Sequence, residues 1–544
     1  MKQIYYNGKI YTGTLPLAEA FVVENGMFLY AGDTKEALQM AADDDVCVDL
    51  EGKFVCSGFN DSHMHLLGFG KTLTQALLAQ HTQSLEDMIS YLQEYAGKDS
   101  ENGNNGWILG RGWNQDFFAD EKRMPHRYDL DKVSTDRPVC IVRACGHCLA
   151  VNSKALEVLG IRDDTVSPEG GRIGTLEDGQ TPDGRFYDNA MELVYAGIPA
   201  PGKEDIKEMI RQACKGLNSY GITSCQSDDY CVFANVPYQE INAAFWELEA
   251  AGELSVRVYE QSNITSLQEL QQFVKEGHVT GTGSDLFRFG PLKMLGDGAL
   301  GARTAYLSRP YADDPATCGI PVFTKEVFEE MIGFAHENGM QAAVHTIGDA
   351  CLDWVLEAYE KALTRRPVQD HRHGIVHCQI TRADQLEKIK ELGLHVYAQS
   401  IFLDYDIHIV KERVGEELAS TSYSWKSLAD GGVTVSNGSD CPVELPDVMA
   451  GIQCAVTRKG LRENPSDPAY LPEQSFSVQE ALDSFTINSA KGSFEEEKKG
   501  CIQKGMLADF VVLSENPFEA CAYHLKDIKI CATYLGGKNV YAGN

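Results

Sequence analysis

Six side chains in this 544-residue sequence carry the chemistry of a metal site, and each stands in or just after a short apolar run. His63 and His65 close "GFNDSHMH", Lys293 lies in "FRFGPLKML", His345 in "AAVHTIGD", His377 in "GIVHCQ" and Asp440 in "TVSNGSD". Residues two apart on an extended chain point the same way. His63 and His65 therefore make half of a first-row metal site. Asp440 is able both to ligate and to carry a proton. A lysine serves beside a metal only without its charge. Burial disfavours the ammonium form, and a neutral amine adds carbon dioxide to give a carbamate, an anionic bridge suited to two metals. One histidine alone among the 14 would say little. The joint placement of four carries the signal. His371 and His373 in "DHRHGIVH" precede their apolar run, so they read as structural groups at its other end.

A second constellation competes with the first. In "RACGHCLAVN", Cys145 and Cys148 form a C-x-x-C pair around His147. That spacing serves thiol–disulfide exchange when the first cysteine opens a helix in a small thioredoxin-like unit. "PVCIVRACGHC" offers no such unit, so the cysteines read as incidental.

The elements that must position these groups follow a repeated grammar. From about residue 200 an amphipathic helix ends at a glycine and a short apolar strand follows, as in "MIGFAHENGMQAAVHT" and "QLEKIKELGLHVYAQS". Glycine supplies the left-handed cap, and repeated helix–strand units imply a parallel sheet covered by helices. Eight strands are expected: "KFVCSGFND", "ITSCQS", "VRVYEQS", "FRFGPLKML", "QAAVHT", "GIVHCQ", "HVYAQS" and "TVSNGSD". They make an α/β protein with a (β/α)8 TIM-like barrel, whose active site lies at the C-terminal strand ends. The six groups fall on that rim. Asn7-Gly8, Asn25-Gly26 and Gly536-Gly537 each mark a hairpin turn. The expected organisation is a small β-sandwich from 1–55 plus 495–544, a barrel over 56–494, and an inserted subdomain at about 70–200.

Composition bounds the partners. The net charge of −31 repels phosphate backbones and anionic lipid, which excludes nucleic acid and membrane as natural partners. No apolar run is long enough to span a bilayer, and the N-terminus lacks a signal-peptide core. A cytoplasmic protein with a small-molecule substrate is expected, its 16 cysteines reduced. A homodimer is one assembly compatible with these features.

Taken together, "GFNDSHMH", "RGWNQ", "GHCLAVNSKAL", "KMLGDGALGARTAYLSRPY", "VHTIGDA", "GSDCPV" and "TINSAK…GCIQKGMLADFVVL" resemble the amidohydrolase superfamily, in its amidohydrolase-3 branch (YtcJ-like, N-substituted formamide deformylase-like). The resemblance implies the barrel-plus-sandwich fold, divalent metal (usually zinc, two ions with Lys293 carbamylated), and hydrolysis of an amide-type C–N bond. It makes His63, His65, Lys293, His345, His377 and Asp440 the metal ligands, Asp440 also the general base, and His147 a pocket residue near the substrate carbonyl. Trp113 and Asn114 read as pocket lining. Asp297 and Arg303 read as substrate contacts, with an Arg303–Asp297 salt bridge as the alternative. Two other functions stay open: a metal-dependent isomerase or lyase on the same barrel, and a non-catalytic regulatory or binding homologue.

Overall fold

The computed structural model describes residues 1–98, 106–144, 147–233 and 235–543. Eight strands, numbered here in chain order, form one wholly parallel sheet: β1 (Phe59–Met64), β2 (Ile222–Ser227), β3 (Arg257–Asn263), β4 (Phe287–Leu295), β5 (Ala342–Thr346), β6 (Gly374–His377), β7 (His395–Ala398) and β8 (Val435–Asn437). Each strand pairs with its neighbour in sequence order. The two edges meet just beyond the last strand. Asp440 N donates to His63 O at 2.8 Å, and His65 N donates to Cys441 O at 2.8 Å. The sheet is thus a barrel closed at the rim where the candidate ligands stand. The expected strand–helix grammar holds. Helices Lys325–Glu337 and Ala383–Leu392 run into Gly339 and Gly393, both at positive φ (78° and 62°), and β5 and β7 follow.

The first expected strand is two. "KFVCSGFND" breaks at Gly58, where a Cβ would collide with Thr223. Phe54–Ser57 joins a five-stranded sheet with Lys9–Ile10, Phe510–Leu513, Ile530–Leu535 and Lys538–Ala542. A four-stranded sheet holds Met27–Gly32, Ala20–Glu24, Lys2–Tyr6 and Val46–Asp49. The two share one core that includes Tyr5, Phe21, Phe28, Val55 and Phe510. Asn25-Gly26 and Gly536-Gly537 close hairpins. Asn7-Gly8 does not. Asn7 is left-handed (φ 56°) as expected, yet the turn passes the chain from one sheet to the other, because Lys2–Tyr6 is already paired on both sides.

The chain divides into two compact units. One comprises Met1–Gly68, Cys214–Val232 and Phe245–Asn544, and the other Phe69–Ala213 with Phe233–Ala244. The second unit has its own six-stranded sheet, covered on both faces. Along Val139–Arg143, Val139 and Ile141 join one apolar cluster and Cys140 joins the other. Cys148 is buried there, and no described cysteine is in a disulfide. Cys145 and Gly146 lie outside the described residues.

His371 and His373 stand before β6, at the barrel end opposite the rim. Ala342 N donates to His373 Nδ1 at 2.9 Å, so the proton of that ring is on Nε2. It is donated to His336 Nδ1 at 2.9 Å, and His336 Nε2 donates to Arg366 O at 2.6 Å. Every polar atom is satisfied only while both rings are neutral. Burial, then the neighbouring His371 and His336, hold the His373 pKa well below the ordinary imidazole value. Its contribution to stability is therefore full above the unfolded pKa of about 6.5 and is lost as pH falls toward the folded value. His373→Ala should lower the melting temperature at neutral pH, with Ala342 N–H left unpaired at a cost of about 1–3 kcal/mol. The gap from wild type should narrow as the pH is lowered through about 6.5. A gap that widens on acidification contradicts this reading.

Candidate metal centre

The rim groups are placed by the strand ends. His63 ends β1 and His377 ends β6; both are buried, and His65 and Asp440 follow β1 and β8. His63 Nε2 lies 3.3 Å and His65 Nε2 3.1 Å from Asp440 Oδ1. One donor atom from each of His63, His377 and Asp440 falls within 4.8 Å of the others. On the far side of His377, its Nε2 faces His345 Nδ1 at 2.9 Å. Lys293, inside β4 and fully buried, pairs with Asp228 Oδ2 at 3.0 Å. The structure thus brings His63, His65, Asp440, His377 and His345 into contact one to the next, and sets the Lys293–Asp228 pair beside them, since Asp228 O also receives His65 Nδ1 at 2.7 Å.

Backbone geometry serves this placement. Asp440 and His377 sit at positive φ (57° and 74°), a conformation that non-glycine residues hold only when their surroundings enforce it. Asp61 does much of the enforcing. Its carboxylate accepts from His63 N (3.2 Å), Ser439 N (3.1 Å) and Ser439 Oγ (2.5 Å), tying β1 to the β8 loop. Burial raises its pKa to about 7. Gly438 completes the join, because a Cβ there would lie 2.5 Å from His63 N and 2.6 Å from Asp61 Oδ1.

The protonation pattern tests whether a cation belongs here. His63 Nδ1 contacts Gln261 Oε1 and His377 Nδ1 contacts Gln399 Oε1, each at 2.7 Å. An amide oxygen only accepts, so both protons are on Nδ1 and both Nε2 atoms are bare. His345 Nε2 lies 3.1 Å from Gly298 O, which places its proton there and leaves Nδ1 bare. Two bare nitrogens then face each other at 2.9 Å, His377 Nε2 and His345 Nδ1. The other His345 tautomer only moves the clash to Gly298 O. Protonation is no remedy. Burial, and next the charge of Lys293, bring the His345 pKa down to about 4, and burial with His345 holds that of His377 well below 6.5. Against its own burial, Asp440 is kept ionised by the neighbouring histidines, His63 and His65 first. Converging lone pairs and one carboxylate, each ring oriented from behind, fit a divalent metal.

Other expected contacts have different duties. Asp297 caps the β4 and β5 loops, accepting from Ile347 N (3.0 Å), Gly348 N (2.7 Å) and Tyr306 N (2.8 Å). Arg303 forks onto Asp313, at 3.2 and 2.7 Å, and not onto Asp297. In the second unit Trp113 is fully buried in an apolar cluster, its Nε1 donating to Ile141 O at 3.2 Å, so it lines a core and not a pocket. Asn114 caps a short turn through Asp116 N (3.1 Å) and receives Arg143 Nη2 (3.0 Å). His147 is exposed, its Nδ1 3.2 Å from Asp188 Oδ1. In the same motif Asn152 is buried and caps helix Ser153–Leu159. Sequence reasoning passed over Asp228, although an acid directly after β2 obeys the rule that found the others. It also passed over Gln261 and Gln399, which carry no titratable signal.

A closed parallel barrel with a histidine–carboxylate cluster at its C-terminal rim is the architecture of the barrel hydrolases. The model of the Amidohydrolase family, Amidohydro_3, matches residues 46–541, and the chain belongs to that family. YtcJ of Bacillus subtilis is 32% identical over 99% of both chains. An N-substituted formamide deformylase of Arthrobacter pascens is 24% identical, over 96% of this chain and 94% of its own. The crystal structure of an uncharacterized metal-dependent hydrolase from Pyrococcus furiosus superposes with a TM-score of 0.78 at 30% identity, covering 95% of this chain and 100% of that one.

Gly438→Ala should separate β1 from the β8 loop. Overpacking of this kind costs about 1–3 kcal/mol. The melting temperature should fall, and zinc uptake measured by chelator competition should weaken at least ~10-fold, in line with a disturbed ligand shell. A variant with wild-type zinc affinity would show that the Asp61–Gly438 join does not set the ligand geometry.

Proposed function

We propose that this chain is a metal-dependent hydrolase that cleaves a non-peptide C–N bond, an amide or formamide, in a small molecule. The observation that carries the reading is the pair of bare imidazole nitrogens 2.9 Å apart beside an ionised Asp440. A divalent cation makes that arrangement favourable. The names of two relatives point the same way: one is a metal-dependent hydrolase and one acts on N-substituted formamides. Nitrogen and carboxylate donors suit zinc. His63, His65, His345, His377 and Asp440 would hold the metal, joined by Lys293 if it is carbamylated and released from its pair with Asp228. Such metal supplies Lewis acidity toward water and a substrate carbonyl.

The chain's own groups handle protons and position. Asp440 Oδ1 is engaged by the two histidines, which leaves Oδ2 to take the proton of the attacking water. The same carboxyl then returns it to the departing nitrogen, so that free amine leaves. The fixed carbonyls of Asp228 and Gly298 hold His65 and His345 from behind while charge changes in the site.

Three measurements check this. Protein saturated with zinc and bicarbonate should hold close to two metals per chain by elemental analysis. A screen of N-formyl and N-acyl amines in ¹⁸O water should release free amine and put the label in the acid product; amine release without label would identify an elimination. Asp440→Asn should lower turnover by ~10²–10⁴-fold with part of the metal retained. A folded, metal-loaded variant within a few-fold of wild type would remove Asp440 from the role of base.

A further inference from the structure

β3 and β7 give the rim no histidine, lysine or aspartate, yet they share a pattern. Val258-Tyr259-Glu260-Gln261-Ser262 on β3 and Val396-Tyr397-Ala398-Gln399-Ser400 at β7 both read V-Y-x-Q-S. The strands are four places apart in an eight-stranded order and so face each other across the barrel. In both, the tyrosine reaches the same residue. Tyr259 Oη donates to Gln341 Oε1 at 3.1 Å, and Gln341 Nε2 donates to Tyr397 Oη at 3.1 Å. The glutamine two residues on shares the tyrosine's face and reaches a site histidine. His63 Nδ1 donates to Gln261 Oε1 and His377 Nδ1 to Gln399 Oε1, each at 2.7 Å. Neither amide is free to flip. Gln261 Nε2 donates to Ser62 O at 3.1 Å, and Gln399 Nε2 donates to Tyr397 O at 3.0 Å. A reversed amide would set oxygen against oxygen in both places. Barrel interiors are ordinarily filled by branched apolar residues. These two buried amides therefore call for a reason.

We propose that Gln261 and Gln399 are a matched pair of positioning residues that lock His63 and His377 as Nδ1–H tautomers, so that both rings present a bare Nε2 to metal. The inference rests on the metal reading above. It adds that metal affinity is set by two neutral amides on strands that supply no ligand. The tyrosine–Gln341–tyrosine bridge beneath them holds the two locks in register with each other.

The test uses the full chain labelled with ¹⁵N-histidine, metal-free and zinc-loaded, and four variants: Gln261→Met, Gln399→Met, Gln261→Glu and Gln399→Glu. Methionine keeps the volume and removes the acceptor; a buried, protonated glutamate keeps the acceptor and donates its O–H to the carbonyl that the amide nitrogen faced. The Nδ1–H resonances of His63 and His377 are expected in metal-free wild type beside that of His65, whose Nδ1 donates to Asp228 O, and each methionine variant should lose the one its glutamine held. Zinc affinity by chelator competition should fall ~10–100-fold in the methionine variants and recover to within a few-fold of wild type in the glutamate variants. The proposal is overturned if the methionine variants keep the Nδ1–H resonances or wild-type zinc affinity. It is overturned equally if glutamate is as weak as methionine, the result of a merely structural role. A wild type that binds no zinc at all would defeat the metal reading, whereas the resonances of the metal-free chain decide the tautomer lock by themselves.

Discussion

Bare nitrogen atoms that face each other at hydrogen-bond distance repel, and a buried one cannot turn away or recruit water. His377 is buried and His345 largely so, and both are held in that position. The amide of Gln399 holds His377 and the carbonyl of Gly298 holds His345, which removes ways of relaxing the clash; Gln261 and Asp228 O hold the neighbouring His63 and His65 in the same manner. Such an arrangement is costly in isolation. A native fold keeps it because the site is completed from outside the chain.

The same constraint explains why the rim loops are so heavily tied. Asp61 binds three donors across the β1–β8 seam, and Asp297 binds three across the β4 and β5 loops. Each aspartate is buried, and burial pushes each pKa to about 7. Neither faces the cluster as a ligand. Their hydrogen bonds fix the strand ends, and through them the angle at which His63, Asp440 and His345 enter the site.

The sequence made the barrel legible because helix, capping glycine and apolar strand recur in order, and because ligands at strand ends stand out by residue type. The seven strands after the first fall where that grammar puts them, and the first is shifted to Phe59–Met64 by the break at Gly58. What it did not show has physical causes. Asn7-Gly8 has the right local turn, but long-range pairing decides that its flanking strands belong to different sheets. Trp113 beside Asn114 reads like a pocket because an aromatic and an amide often line one; only the packing shows the ring sealed in a core. Arg303 offered two partners and took a third, Asp313, ten residues away. The glutamines were silent because a neutral amide acquires its role from what it faces. Cys148, by contrast, is buried and outside any disulfide.

The strand that carries His63 continues directly from Phe54–Ser57, whose partner in the adjoining sheet is Phe510–Leu513. Gly58 N donates to Asp509 O at 2.9 Å, and Asp509 also grips Arg257 at the foot of β3. These partners are separated by more than four hundred residues of chain. During synthesis the ribosome releases the H-x-H segment long before the strand that registers it exists. Loop closure on that scale is slow, and large proteins commonly pass through populated intermediates with unpaired strand edges. A nascent chain therefore carries every histidine of the rim before it has the strand that pairs with the residues leading into His63 and His65.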